Sequence, residues 1–130
     1  SRFKGKGTVK EVVLRATFHL KREASAAVTA RMMQFNAHRK ATQPSDPSAG
    51  SVFKNPPGDF AGRLIEQAGL KGMRVGGAMV STVHANFFVN DGTARARDLR
   101  ELVQVVQGTV REKFGVALET EIEFVGEWEA

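Results

Sequence analysis

Arg97-Asp98-Leu99-Arg100-Glu101-Leu102-Val103-Gln104-Val105-Val106-Gln107-Gly108-Thr109-Val110-Arg111-Glu112-Lys113-Phe114-Gly115 is the stretch that decides the fold. Leu99, Leu102, Val103, Val106 and Val110 recur at three- and four-residue intervals, which places them on one face of an α-helix. Gly115 supplies the stop. The pattern then changes to period two. Leu118, Thr120, Ile122 and Phe124 alternate with Glu119, Glu121 and Glu123, which predicts a strand over 118–125 with one apolar and one acidic face.

The same two periods organise the chain upstream. Residues 73–81 and 86–90 read as two further strands, and Asn90-Asp91-Gly92 is a turn signal. Asp59 is the expected N-cap of a helix reaching Ala68, with Phe60, Leu64 and Ala68 on one side and Gly69 as its C-terminal cap. Ser51–Phe53 reads as a short strand after a loop punctuated by Pro44, Pro47 and Gly50. Residues 23 to about 42 are alanine-rich and free of Gly and Pro, and predict a helix with Val28, Met32, Phe35 and Arg39 at helical spacing. Val12, Leu14, Ala16, Phe18 and Leu20 alternate with mostly polar neighbours and predict a strand over 9–20. The order is strand, helix, short strand, helix, two strands, helix, strand. It predicts one α+β domain over residues 1–130, about three helices packed on a mixed β-sheet. No repeat, low-complexity tract or heptad run interrupts it.

Composition narrows the function classes. With 42% apolar and 25% charged residues, the chain has the balance of a soluble globular protein. No apolar run is long enough to span a membrane, and no export signal opens the chain. Cysteine is absent, which excludes disulfides and thiolate-bound zinc. Charge is uneven: residues 1–40 hold ten Lys/Arg against two acids (+8), and residues 41–130 hold nine against twelve (−3). Such a basic half suits nucleic acid, an anionic membrane or a phosphorylated small molecule, or simply a solvated surface. Only Phe3, Phe18 and Phe35 stand among those cations, too few rings for a base-stacking platform.

Chemistry concentrates in Ser48-Ala49-Gly50-Ser51-Val52-Phe53-Lys54-Asn55-Pro56-Pro57. Small residues admit close backbone approach, and a hydroxyl, an ammonium and an amide follow within five positions. By residue type alone, Ser51 is a turn residue or an acid for a strongly basic partner. Asn55 is a turn residue before proline or a ligand contact, and Lys54 a solvated cation or a phosphate contact. His84 is a strand-end histidine bonded to backbone or a residue facing a ligand. The three glutamates of 119–123 read as a solvated face from which spacing selects none. His19, His38 and His84 lack metal-ligand spacing, so no metal is expected. The glycines of 69–77 form neither a P-loop nor a dinucleotide fingerprint. Turns and close packing account for Gly69 and Gly72, while Gly76 and Gly77 leave room for a ligand against the backbone.

The serine block, together with three later segments, resembles the UDP-N-acetylenolpyruvoylglucosamine reductase family. Those segments are Ala61-Gly62-Arg63-Leu64-Ile65-Glu66-Gln67-Ala68-Gly69-Leu70-Lys71-Gly72, then Arg74–Ala78 with Val80–Phe87, and Phe114–Ile122. The resemblance runs from Phe3 to Trp128 and covers only the C-terminal, substrate-binding part of such enzymes. It implies a parent flavoprotein in the cytoplasm that reduces UDP-N-acetylglucosamine enolpyruvate to UDP-N-acetylmuramate for peptidoglycan, with FAD and NADPH as cofactors. In that reading Ser51 is the proton donor, Glu121 assists it, and Asn55, His84 and Lys54 hold the nucleotide sugar. The partners are the substrate and an upstream FAD-binding domain, with no nucleic acid and no membrane. Ser1-Arg2-Phe3-Lys4 looks like the end of the family's arginine-bearing segment, so the catalytic arginine is expected just before Ser1. The chain alone is therefore expected to be inactive. Thr42 stands where some members carry a phosphate-binding lysine. The short Leu20–Glu23 link matches the subgroup without the tyrosine-bearing loop. The alternative is a non-catalytic basic module that binds nucleic acid or a phosphorylated ligand.

Overall fold

The computed structural model describes residues 14–128. The chain divides into two compact units, Ser1–Met33 and Gln34–Ala130. In the first, residues 14–24 carry no regular secondary structure, and Leu14, Phe18 and Leu20 are exposed. The expected strand over 9–20 is thus not formed from residue 14 onward; its residues 9–13, like the segment at Ser1–Lys4, lie outside the described part. Alternation assigns faces, but a strand exists only when a second one completes its ladder. Helix α1 (Ser25–Thr42) follows as the alanine-rich composition requires, yet none of its residues is buried.

Helix α1 continues into the second unit from Gln34, and that unit carries the remaining elements: β1 (Ser48–Ser51), α2 (Ala61–Gln67), β2 (Arg74–Val75), β3 (Ala78–Val80), β4 (Phe87–Asn90) and α3 (Ala96–Phe114). The α+β class holds: the described residues form three helices and a four-stranded sheet in the order β1-β4-β3-β2. The sheet is not mixed, since every pairing among the described residues is antiparallel. Short links join β2 to β3 and β3 to β4, and links of that length cannot carry the crossover a parallel pair needs. The expected single strand over 73–81 is in fact the β2–β3 hairpin, turning at Gly76-Gly77. A Cβ at Gly76 (φ +53°) would lie 2.5 Å from Asp98 Oδ2, and one at Gly77 would collide with the Ala94 backbone nitrogen. The space these glycines leave is filled by the chain itself, not by a ligand.

Helix α3 packs against β2, β3 and α2. Its Leu102, Val103, Val106 and Val110 are at most 2% exposed and join Val52, Phe53, Ile65, Val80 and Phe88 in one core. Asp98 accepts the Arg95 N–H at 2.9 Å to close the first turn, and Gly115 (φ +69°) ends the last. Helix α2 begins differently from the expectation. Its N-cap is Phe60, exposed and without a side-chain cap, not Asp59. Asp59 instead accepts the Phe60 N–H at 2.6 Å and forms a two-bond ion pair with Arg63. The strand expected over 118–125 contracts to one antiparallel bridge, Phe53 opposite Thr120. Its alternation survives: Leu118 is buried, Ile122 and Phe124 half-buried, and the three glutamates exposed. Beyond it Trp128 meets Phe124 edge-on, with the Arg100 guanidinium 5.2 Å from its ring centre.

Candidate functional site

Ser51 closes β1 opposite Phe87 of β4. The next three residues run between two partners. On one edge the Val52 carbonyl accepts the Glu121 N–H at 2.8 Å, and the Lys54 N–H donates to the Glu119 carbonyl at 2.9 Å. On the other edge the Val52 N–H donates to the Asn86 carbonyl at 2.9 Å. This short segment draws residues from distant parts of the chain to one place. Ser51, Asn55, His84 and Glu121 line a single cavity of about 450 Å³, with Phe60, Arg63, Glu66 and Asn86 completing much of its wall.

Each of the four is held by local chemistry. The turn before β4 is built on Ser81, which is buried and whose Oγ accepts the N–H groups of Val83 and His84 at 3.1 and 3.3 Å. His84 Nδ1 accepts the Asn86 N–H at 3.2 Å, which leaves the ring proton on Nε2. Its ring lies against α2 where that helix has no side chain: a Cβ on Gly62 would sit 3.1 Å from His84 Cε1. Asn55 Oδ1 accepts the Ala61 N–H at 3.0 Å and so satisfies the start of α2 that Phe60 cannot cap. No hydrogen bond among the described residues engages its Nδ2. No hydrogen bond among the described residues engages the Ser51 hydroxyl. The cavity therefore offers Ser51 O–H, Asn55 N–H₂ and His84 Nε2–H as donors, with the Glu121 carboxylate beside them.

Lys54 is not part of this group. It pairs with Glu119 at 2.9 Å beside a neighbouring depression of about 280 Å³ that shares Asn55 with the cavity, and the bond raises the lysine pKa and lowers that of the glutamate. Both side chains are more than half exposed, so the pair is worth little in stability. Arg63 lines the cavity but is tied to Asp59, whose carboxyl it holds below the usual range, helped by the Phe60 N–H. Its Nη1 also donates to Gln67 Oε1 at 2.8 Å. Unpaired positive charge lies next door. A groove of about 440 Å³ shares Val83 with the cavity and is lined by Asn36, Arg39, Lys40 and Gln43, and neither cation makes an ion pair among the described residues. Sequence reasoning assigned no role to Arg39, Lys40, Phe60, Arg63, Glu66 or Asn86. The available signals were the Asp59/Arg63 spacing of four and the polar Asn86 at the head of an apolar strand. Among the described residues no group of three or more His, Asp and Glu side chains is placed to hold a metal ion. None of the described helices is long and apolar enough to cross a membrane.

Comparison with known proteins shows the family. The family model described as UDP-N-acetylenolpyruvoylglucosamine reductase, C-terminal domain, matches residues 43–125. The chain is 53% identical over 123 residues to the UDP-N-acetylenolpyruvoylglucosamine reductase of Caldicellulosiruptor saccharolyticus, covering 92% of this chain and 40% of that protein. It is 53% identical over 117 residues to the Listeria monocytogenes enzyme of that name, covering 89% and 39%. The crystal structure of the Thermus caldophilus reductase (MurB) superposes with a TM-score of 0.67 at 48% identity, over 81% of this chain and 37% of that one. The chain thus spans about two fifths of the length of the curated relatives it matches. The matched span takes in β1, α2, the hairpin, β4 and α3 and every residue that lines the cavity, and on that match the chain belongs to the UDP-N-acetylenolpyruvoylglucosamine reductase C-terminal domain family.

Proposed function

We propose that this chain is the substrate-binding domain of a reductase that converts UDP-N-acetylglucosamine enolpyruvate to UDP-N-acetylmuramate for peptidoglycan. The carrying observation is the single cavity that gathers Ser51, Asn55, His84 and Glu121. A nucleotide sugar is rich in acceptor oxygens, and the donors of Asn55 and His84 complement it. Its diphosphate suits the unpaired cations Arg39 and Lys40 in the adjoining groove better than Lys54, which Glu119 already neutralises.

Reduction of the enolpyruvyl double bond adds a hydride to one carbon and a proton to the other. The carbon left with the electron pair is strongly basic, and a serine hydroxyl is acid enough for such a partner. Ser51 Oγ–H gives up its proton there and regains one from solvent before the next turnover, and Glu121, on the same cavity wall, assists the transfer. No Gly-x-Gly-x-x-Gly turn opens a helix among the described residues; Gly69 and Gly72 follow α2 instead. The residues of this chain therefore do not fit a dinucleotide cofactor of that type. We assign FAD, the hydride source, and the NADPH that reduces it to the part of the relatives this chain does not match. The parent enzyme is then a cytoplasmic flavoprotein, and this chain alone does not turn over.

Two measurements test the reading. UDP-N-acetylglucosamine added to the chain should shift the amide resonances of residues 51–55 and His84. Salt-sensitive binding to duplex DNA with no response to uridine nucleotides would replace it with the basic-module alternative. In the complete reductase, Ser51→Ala should slow substrate reduction by about 10²–10⁴-fold while NADPH still reduces the flavin. Ser48→Ala, on the same strand but lining a different cavity, should be near neutral. Equal losses at the two serines, or none at either, would remove Ser51 as the donor.

A further inference from the structure

We propose that Asn86 is the positioning residue of this site, a side chain that completes the β1–β4 ladder where the backbone cannot and thereby sets Ser51, Asn55, His84 and Glu121 relative to one another. This rests on the reading of the cavity above. The β1–β4 pairing is irregular between Ser48 and Ser51 and ends at the Ser51–Phe87 pair. Phe53 next presents an N–H and a C=O toward the β4 side. Both find the Asn86 carboxamide: the Phe53 N–H donates to Oδ1 at 3.0 Å, and Nδ2 donates to the Phe53 carbonyl at 2.8 Å. A carboxamide offers one donor and one acceptor side by side, as a peptide group does, so it serves as one more rung.

The consequence is geometric. Residues 52–54 are gripped by Asn86 on one edge and by residues 119–121 on the other. Ser51 precedes this segment, Asn55 follows it, and Glu121 is bonded to it. The N–H of Asn86 also donates to His84 Nδ1 and so selects the tautomer whose proton is on Nε2. One residue thus reaches all four. Asn86 is only 4% exposed, so the two carboxamide bonds to Phe53 are made away from bulk solvent and their loss leaves a buried N–H and C=O without a protein partner.

The test uses the complete reductase with flavin reduction and substrate reduction timed separately. Asn86→Ala should slow substrate reduction by roughly 10- to 100-fold, the cost of a displacement on the order of 1 Å, and leave flavin reduction by NADPH unchanged. Leu64→Ala in the core serves as a control for lost stability and should not slow substrate reduction selectively. The positioning has its own readout in the isolated chain. In Asn86→Ala the Phe53 and Glu121 amides should exchange with solvent about tenfold faster relative to those of Leu102–Val106 than in the unmodified chain. Should Asn86→Ala not accumulate folded, Asn86→Asp keeps the acceptor for the Phe53 amide, loses the donor, and carries the same expectations. Exchange that rises uniformly, or a substrate step slowed no more than in Leu64→Ala, overturns the proposal. Ser51→Ala measured alongside separates the two claims: if it slows substrate reduction and Asn86→Ala does not, the site stands and only the role of Asn86 fails.

Discussion

Helices α1 and α3 are nearly equal in length, 18 and 19 residues, and opposite in how they are held. Both carry apolar residues at helical spacing. In α3 the stripe is Leu102, Val103, Val106 and Val110, all buried; in α1 Val28, Met32 and Phe35 are all exposed. The difference teaches that spacing reports helix formation, whereas burial is decided by the surface opposite. Helix α3 lies over a sheet and α2 that supply such a surface. Helix α1 rests on its alanines and on local bonds such as that of Thr42 Oγ1 to the His38 carbonyl at 2.8 Å.

The contrast breaks most easily at Leu102, which is fully buried. Leu102→Ala should cost about 2–5 kcal/mol, read as a lower denaturation midpoint of the chain with an unchanged slope. A cost under about 1 kcal/mol would mean that α3 is not anchored as described. A smaller effect is expected where α3 begins. Gly76→Ala places a methyl against Asp98 at a positive φ, and should cost roughly 1–3 kcal/mol in the same melt. If the variant is as stable as the parent, the hairpin does not abut the helix start. The smallest effect belongs to α1. Met32→Ala removes a side chain that is 59% exposed and should change stability by less than about 0.5 kcal/mol. A clear loss there would erase the distinction between the two helices.

The elements legible from sequence were those whose period and punctuation agree. For α3 the stripe and Gly115 both pointed to the same helix, and for α2 Gly69 marked the end correctly. Strand partners were not legible. The alternation at 118–124 correctly separated buried Leu118 from the exposed glutamates, yet only Thr120 forms a bridge, because alternation carries no information about the ladder. The same limit explains residues 14–20 and the antiparallel order of the sheet. In the cavity, family resemblance nominated Ser51, Asn55, His84 and Glu121, and the structure brings them together. It also nominated Lys54, which pairs with Glu119, 65 positions away in sequence, and does not line that cavity. Helical spacing put Phe60 on one side of α2 with Leu64 and Ala68. The caps from Asn55 and Asp59 instead leave its ring at the cavity rim.

The missing side chain at Gly62 gives the cavity a wall of a particular kind. Where His84 faces α2, the imidazole meets bare main chain, and no rotamer stands between them. Main chain in a helix is a stiff reference surface, whereas a side chain in that place would swing among wells and carry the ring with it. The aim of His84 is thus set against peptide geometry, at a place too tight for an added methyl without a shift of the ring. The part of the cavity that His84 lines inherits the rigidity of the helix backbone behind it.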